Sequence, residues 1–125
     1  MIKNILLVGM GGFVGSIGRY LLGKLNITFD IFSLPAGTLL ANILGSYIIG
    51  FLTGLADKTL IMTPELRLLL MVGFCGGFTT FSSFTNENLA FIHNGQYGLV
   101  FIYTTLSLLL GFTAVFLGFS SSNLL

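Results

Sequence analysis

Charge is what this sequence has least of. Its 125 residues include five Lys and Arg and four Asp and Glu, 7% of the chain, where a soluble domain carries about 25%. So few charges cannot cover a water-facing surface, which argues against a soluble globular enzyme. The net charge of +1 gives no basic patch for nucleic acid and no polybasic lipid anchor. Cys75 is the one cysteine, so no disulfide forms within the chain. One His and one Cys make no zinc site, and no acid/base pair or nucleophile constellation is present. The chain has two Pro and no Trp.

Apolar residues fill the space instead. Hydrophobic residues make up 54% of the chain, Gly adds 17 more, and mean hydropathy is +1.00. A bilayer span needs about 20 mostly apolar residues, so there is room for four or five. Four runs can be marked off, at about 4–25, 34–56, 66–92 and 97–119. The first ends at Asn26-Ile27-Thr28-Phe29-Asp30. Ser33 suits an N-cap for the second, with Pro35 in its first turn. Asp57-Lys58-Thr59 opens the next connection, and Thr63-Pro64-Glu65 reads as a helix start with an acid at the positive dipole end. His93-Asn94-Gly95-Gln96 makes the last turn, with His93 an interfacial loop residue. Connections are short throughout. The expected architecture is one all-α integral membrane domain over residues 1–125, with four transmembrane helices.

Lys3 ahead of an apolar stretch mimics a signal peptide. The run is too long for one, and Arg19 and Lys24 stand where a cleavage site belongs, so it reads as a retained helix. Four spans place both termini on one side. Lys3, Lys58 and Arg67 then lie there, against Arg19 and Lys24 near the other. That bias is too small for the positive-inside rule to act on. Either a partner sets the orientation or both orientations insert, and in the second case two copies can pair as an antiparallel homodimer.

Gly9, Gly11, Gly12, Gly15 and Gly18 crowd the first span, and Gly45, Gly50 and Gly54 the second. Gly11/Gly15 and Gly50/Gly54 are G-x-x-x-G pairs that let helix backbones approach closely. Polar residues inside the spans say more, because an unpaired polar group in hydrocarbon is costly. Thr38, Asn42, Ser46 and Thr53 fall within about 80° of one helical face. In the fourth span Tyr103 and Ser107 lie at i, i+4, with Gly111 continuing that side. Interhelical hydrogen bonding explains any one Ser or Thr; two stripes together read as a polar track. No carboxylate lies at mid-depth, Glu87 standing towards the end of the third run, so a proton-coupled mechanism has no evident carrier.

The third run holds Gly73-Phe74-Cys75-Gly76-Gly77-Phe78-Thr79-Thr80-Phe81-Ser82-Ser83-Phe84. Two glycines followed by two β-branched residues make a poor helix interior, and a helix broken near Gly76–Thr79 is expected. Backbone carbonyls at such a break suit a hard cation. A glycine kink that binds nothing fits the same spacing. Phe81 and Phe84 follow at i, i+3 among hydroxyls. Ring edges are electropositive, so these rings and hydroxyl donors together stabilise an anion without a fixed charge. Arg19 either snorkels to headgroups or draws anions to a vestibule.

These residues carry a family resemblance. Gly11-Gly12-Phe13-Val14-Gly15 with Arg19-Tyr20, Gly37-Thr38-Leu39 with Asn42 and Gly45, and the third-run segment resemble the Fluc (CrcB) fluoride channels along nearly the whole chain. The resemblance implies an antiparallel, dual-topology homodimer with two fluoride pores in a bacterial inner membrane. It implies that Asn42, Phe81 and Phe84 line the pathway with Thr38 and Ser83, and that Tyr103 and Ser107 belong to the polar track. Arg19 falls in the vestibule region. Backbone carbonyls of Gly76 and Thr79 would hold a central structural sodium ion, two from each subunit, that is not transported. Ser83 stands where relatives often carry Thr, and Gly111 where some carry a further serine. Export would be passive. HF enters uncharged and dissociates inside, and about 2.3 kcal/mol per 100 mV drives the trapped anion out. Selectivity over chloride would combine a narrow path with donors that replace the hydration shell.

Two other readings use the same helices. A small dual-topology multidrug transporter needs a carboxylate in its first helix and commonly uses Trp; this chain has neither. A non-conducting assembly subunit needs only the glycine packing, and leaves the hydroxyl-wrapped Phe pair unexplained.

Overall fold

The computed structural model describes residues 1–24, 34–58 and 60–125. The expected Ser33 cap and the Asn26–Asp30 connection lie outside the described residues, as does Thr59. Among the described residues every regular element is helical. Helix α1 runs Ile2–Gly23 and α2 Ala36–Lys58. The third span, Pro64–His93, has several parts: α3 (Pro64–Leu66), a π-helical segment (Arg67–Cys75), α4 (Gly76–Phe78) and α5 (Phe81–His93). Helix α6 (Tyr97–Ser121) ends in a 3-10 turn, Ser122–Leu124. Among the described residues four segments are long and apolar enough to cross a membrane. The 22 residues of α1 reach about 33 Å at 1.5 Å per residue, enough for a hydrocarbon core about 30 Å thick.

Local chemistry sets most ends. Pro35 has no N–H, and its carbonyl accepts from Leu39 N–H at 3.1 Å, so α2 begins just after it. Thr63 caps the third span, its hydroxyl accepting from Leu66 N–H at 3.2 Å with Pro64 in the first helical position. Asp57 and Lys58, expected in the connection, still belong to α2. After α5 the chain makes a Schellman turn. Gln96 N–H reaches the Phe91 carbonyl at 2.8 Å and Gly95 N–H the Ile92 carbonyl at 3.0 Å. Gly95 supplies the φ of +70° that this turn requires.

The helices pack as two close pairs through small residues. A Cβ on Gly11 would collide with the Leu69 carbonyl, and one on Gly15 with the Phe74 carbonyl. In return, a Cβ on Gly73 would stand 2.8 Å from the Val8 carbonyl, and one on Gly77 2.6 Å from the Gly12 carbonyl. Across the bundle, Gly50 meets the Val115 carbonyl and Gly118 the Tyr47 carbonyl with no room for a side chain. So α1 lies backbone to backbone on the first half of the third span, and α2 likewise on α6. The π-helical stretch against Gly11 has no counterpart in the apolar pattern, which marks an ordinary helix there.

One end of the bundle is fixed by polar contacts. Lys3 pairs with Glu65 at 3.3 Å, Lys58 donates to Asn123, and Arg67 reaches the Ala56 carbonyl. The start of α1, the end of α2, the start of the third span and the end of α6 therefore share that end. Elsewhere large apolar side chains face outward, among them Phe101, Phe112 and Phe116 on α6, as helices in lipid require. The internal core is small: Tyr103, Phe91 and Leu34 are buried, with Phe84, Leu39, Val100 and Leu106 packed against them.

Candidate functional site

The backbone leaves helical geometry at two residues of the third span. Thr79 has φ −86° and ψ 158°, and Thr80 φ −152° and ψ 122°. Gly76 itself stays helical, at φ −63° and ψ −37°. Both exceptional residues are β-branched, and extended backbone suits them better than it suits a helix.

Extended residues inside a helical span leave donors and acceptors that need partners. Asn42 on α2 supplies two of them. Its Nδ2 donates to the Thr80 carbonyl at 3.0 Å and its Oδ1 accepts from Thr80 N–H at 2.7 Å. Arg19 on α1 supplies a third, its Nε donating to the Gly77 carbonyl at 3.1 Å. The threonines do the rest. Thr80 Oγ1 accepts from Ser83 N–H at 3.1 Å and caps α5, and Thr79 Oγ1 donates to the Cys75 carbonyl at 2.8 Å.

Two of these contacts take helical donors from the carbonyls of Gly76 and Thr79. In a continuous helix Thr80 N–H would serve Gly76 and Ser83 N–H would serve Thr79. Both donors are diverted, the first to Asn42 and the second to Thr80 Oγ1. Gly76 also borders open space, with nothing among the described residues within 4 Å of a Cβ placed there. Gly76, Thr79, Thr80, Asn42, Ser46 and Phe81 line an open hollow of about 620 Å³ on the face of the bundle. Among the described residues no group of three or more His, Cys, Asp or Glu comes together.

Phe81 stands at the rim of the hollow, 76% exposed. Its ring centroid is 5.9 Å from that of half-buried Phe84, and Phe84 lies 5.0 Å from Tyr103. Tyr103 is fully buried, and its hydroxyl donates to Glu87 Oε1 at 2.8 Å. Thr38 donates to the other carboxylate oxygen at 2.7 Å. One carboxyl group thus ties α2, α5 and α6 together behind the Phe pair. Ser107, one turn beyond Tyr103, has a buried Oγ with no hydrogen-bond partner among the described residues, the kind of group that asks for a ligand or water. Ser83 is half-buried at the start of α5. A Cβ on Gly111 would sit 3.9 Å from Ser46 Oγ, so the two polar stripes meet there.

Sequence-derived site residues thus form two groups joined by the Phe81–Phe84 contact. Asn42, Gly76, Thr79 and Phe81 surround the hollow; Thr38, Phe84 and Tyr103 lie behind it, and Ser107 adjoins them along α6. Arg19 sits against the break through Gly77. Glu87 is the residue the sequence reading passed over. Its signal was available, since it lies one turn after Phe84 on the same helix and a carboxylate inside an apolar run needs partners.

A sequence model of the family described as CrcB-like protein, Camphor Resistance (CrcB), matches residues 6–119. The chain belongs to the CrcB family. Curated relatives span nearly its full length. A protein of Gloeothece citriformis named fluoride-specific ion channel FluC is 52% identical over 115 residues, 92% of this chain and 93% of the relative. Proteins of the same name from Chlorobium chlorochromatii and Chlorobaculum tepidum are each 44% identical, over 124 and 118 residues. They cover 96% and 94% of this chain, and 92% and 93% of their own lengths. These CrcB relatives are channels by name, not enzymes. With four apolar spans, this CrcB chain is a multi-pass membrane protein.

Proposed function

We propose that this chain forms a fluoride-selective channel that lets fluoride leave the cytoplasm passively across a bacterial inner membrane. The observation that carries the reading is the hollow beside Thr79 and Thr80, where Asn42 fixes the backbone and Phe81 presents an exposed ring. Relatives named as fluoride-specific channels, at 44–52% identity, support the choice of ion. The pathway runs past Asn42, Phe81 and Phe84, with Thr38, Ser83, Tyr103 and Ser107 as its polar lining and Arg19 beside it. Ring edges and hydroxyls replace part of fluoride's hydration shell.

The functional unit is an antiparallel homodimer of single four-helix domains, inserted in both orientations. The outward-facing hollow and the exposed Phe81 favour a face that a second copy covers. Sodium has a structural role there and is not transported. The carbonyls of Gly76 and Thr79, both deprived of their helical donors, would hold it, and its charge would join the two subunits. No coupling ion is required, because membrane potential alone drives an anion outward.

The test is flux. Purified protein goes into liposomes loaded with potassium fluoride and supplied with sodium, valinomycin clamps charge balance, and a fluoride electrode reads efflux. Rapid fluoride loss with chloride retained in parallel vesicles is the expected result. No loss from vesicles shown to contain dimer would replace this reading with a non-conducting assembly subunit.

A further inference from the structure

Arg19 makes a contact that an electrostatic lure in a vestibule would not need. Its Nε–H lies 3.1 Å from the Gly77 carbonyl in a part-buried setting. In a continuous α-helix that carbonyl would accept from Phe81 N–H. Phe81 is instead the first residue of α5, where backbone N–H groups have no partner within their own helix. The approach of α1 is tight at this point. A Cβ on Gly77 would stand 2.6 Å from the Gly12 carbonyl and 3.1 Å from Ser16 Oγ, and one on Gly18 would stand 3.3 Å from the Phe78 ring. The guanidinium therefore arrives from a helix whose distance to the break is fixed by backbone contact.

Resting on the channel reading, we infer that Arg19 is a positioning residue for the ion path. Its Nε–H replaces the backbone donor lost by Gly77, and this holds Phe81 out of helical register and at the rim of the hollow. Arg19 and Asn42 are then two halves of one device. Asn42 clamps Thr80 from α2, and Arg19 clamps Gly77 from α1, on either side of the residues that leave the helix. What matters at position 19 is a rigid N–H donor at the δ-substituent, a feature of the planar guanidinium that a lysine ammonium does not share.

The amide nitrogen of Gln sits as many bonds from Cα as Nε of Arg, whereas Lys has a methylene there. Arg19→Gln keeps the donor and drops the charge; Arg19→Lys keeps the charge and drops the donor; Arg19→Met drops both. Full-length variants, checked as assembled dimer by size exclusion and melting, are reconstituted and fluoride efflux is measured across fluoride concentrations. We expect maximum rates within about threefold of wild type for Arg19→Gln and about tenfold or more below it for Arg19→Lys and Arg19→Met. Half-saturating fluoride should stay the same in all, at low and high ionic strength. If Arg19→Lys fails to assemble, the Gln and Met pair carries the comparison. The inference is overturned if Lys matches wild type while Gln is impaired, if all variants lose or keep flux equally, or if half-saturation rises with loss of charge. Wild-type protein that carries no fluoride would overturn the channel reading and this inference with it. Wild-type flux together with any of those variant patterns overturns this inference alone.

Discussion

Asn42 and Thr80, on different spans, are joined by two hydrogen bonds that use both ends of one side-chain amide, at 3.0 and 2.7 Å. The amide pairs with an extended residue as a neighbouring strand would. It is the contact that lets a membrane span abandon helical geometry without leaving Thr80 unsatisfied. Asn42→Ala removes a donor and an acceptor at once. Each half-buried orphan costs about 1–3 kcal/mol, so the variant should melt several degrees lower and lose most fluoride flux. Asn42→Asp keeps the acceptor and sets a carboxylate against the Thr80 carbonyl, and should lose flux to a similar degree. Thermal melting in detergent, paired with liposome efflux, checks both.

The glycine contacts divide the chain's glycines into two classes. A Cβ on Gly15 or Gly118 would collide with neighbouring backbone, whereas one on Gly9 has nothing among the described residues within 4 Å. Gly15→Ala and Gly118→Ala must push helices apart and should destabilise by about 1–3 kcal/mol. Gly9→Ala should be neutral or stabilise by up to about 1 kcal/mol, the helix-propensity gain. Melting temperatures of the three variants, taken side by side, decide whether the helix pairs pack as described.

Much of the scaffold was legible because it depends on neighbours in sequence. Long apolar runs, the Thr63 cap with Pro64, and the Asn94-Gly95 turn each carry their own local physics. The contacts that make the site were not legible in the same way. Asn42 meets Thr80 across 38 positions, Arg19 meets Gly77 across 58, and Thr38 meets Glu87 across 49. Such pairs depend on how helices cross, and periodicity within a run says only that a polar residue needs some partner. The π-helical stretch Arg67–Cys75 was equally out of reach, since apolar side chains there satisfy an ordinary helix just as well.

Glu87 gives a coupled prediction. Tyr103 and Thr38 each donate to it, so its role is to hold the support on which Phe84 rests. Tyr103→Phe and Glu87→Gln should each lower stability, and the double variant should cost less than their sum. A coupling of about 1 kcal/mol is expected for one buried hydrogen bond. Flux should fall along with the loss of Phe84 packing, and a double-mutant cycle in melting supplies the number. Strict additivity would mean the bond contributes nothing in the assembled protein.

Sodium removal probes the freed carbonyls of Gly76 and Thr79. Protein purified in thoroughly sodium-free buffer should dissociate more readily and carry less fluoride, and sodium should restore both. Potassium should restore neither at equal concentration. Cross-linking yield and efflux from the same preparation check it.

The most direct measurement of the central claim is a reversal potential. With fluoride on one side of a planar bilayer, chloride on the other and sodium on both, a selective fluoride path drives the potential towards fluoride equilibrium. The wild-type dimer should show that potential, and Phe81→Ile should reduce the current that produces it. A reversal potential near zero, or one that follows chloride, would contradict the account.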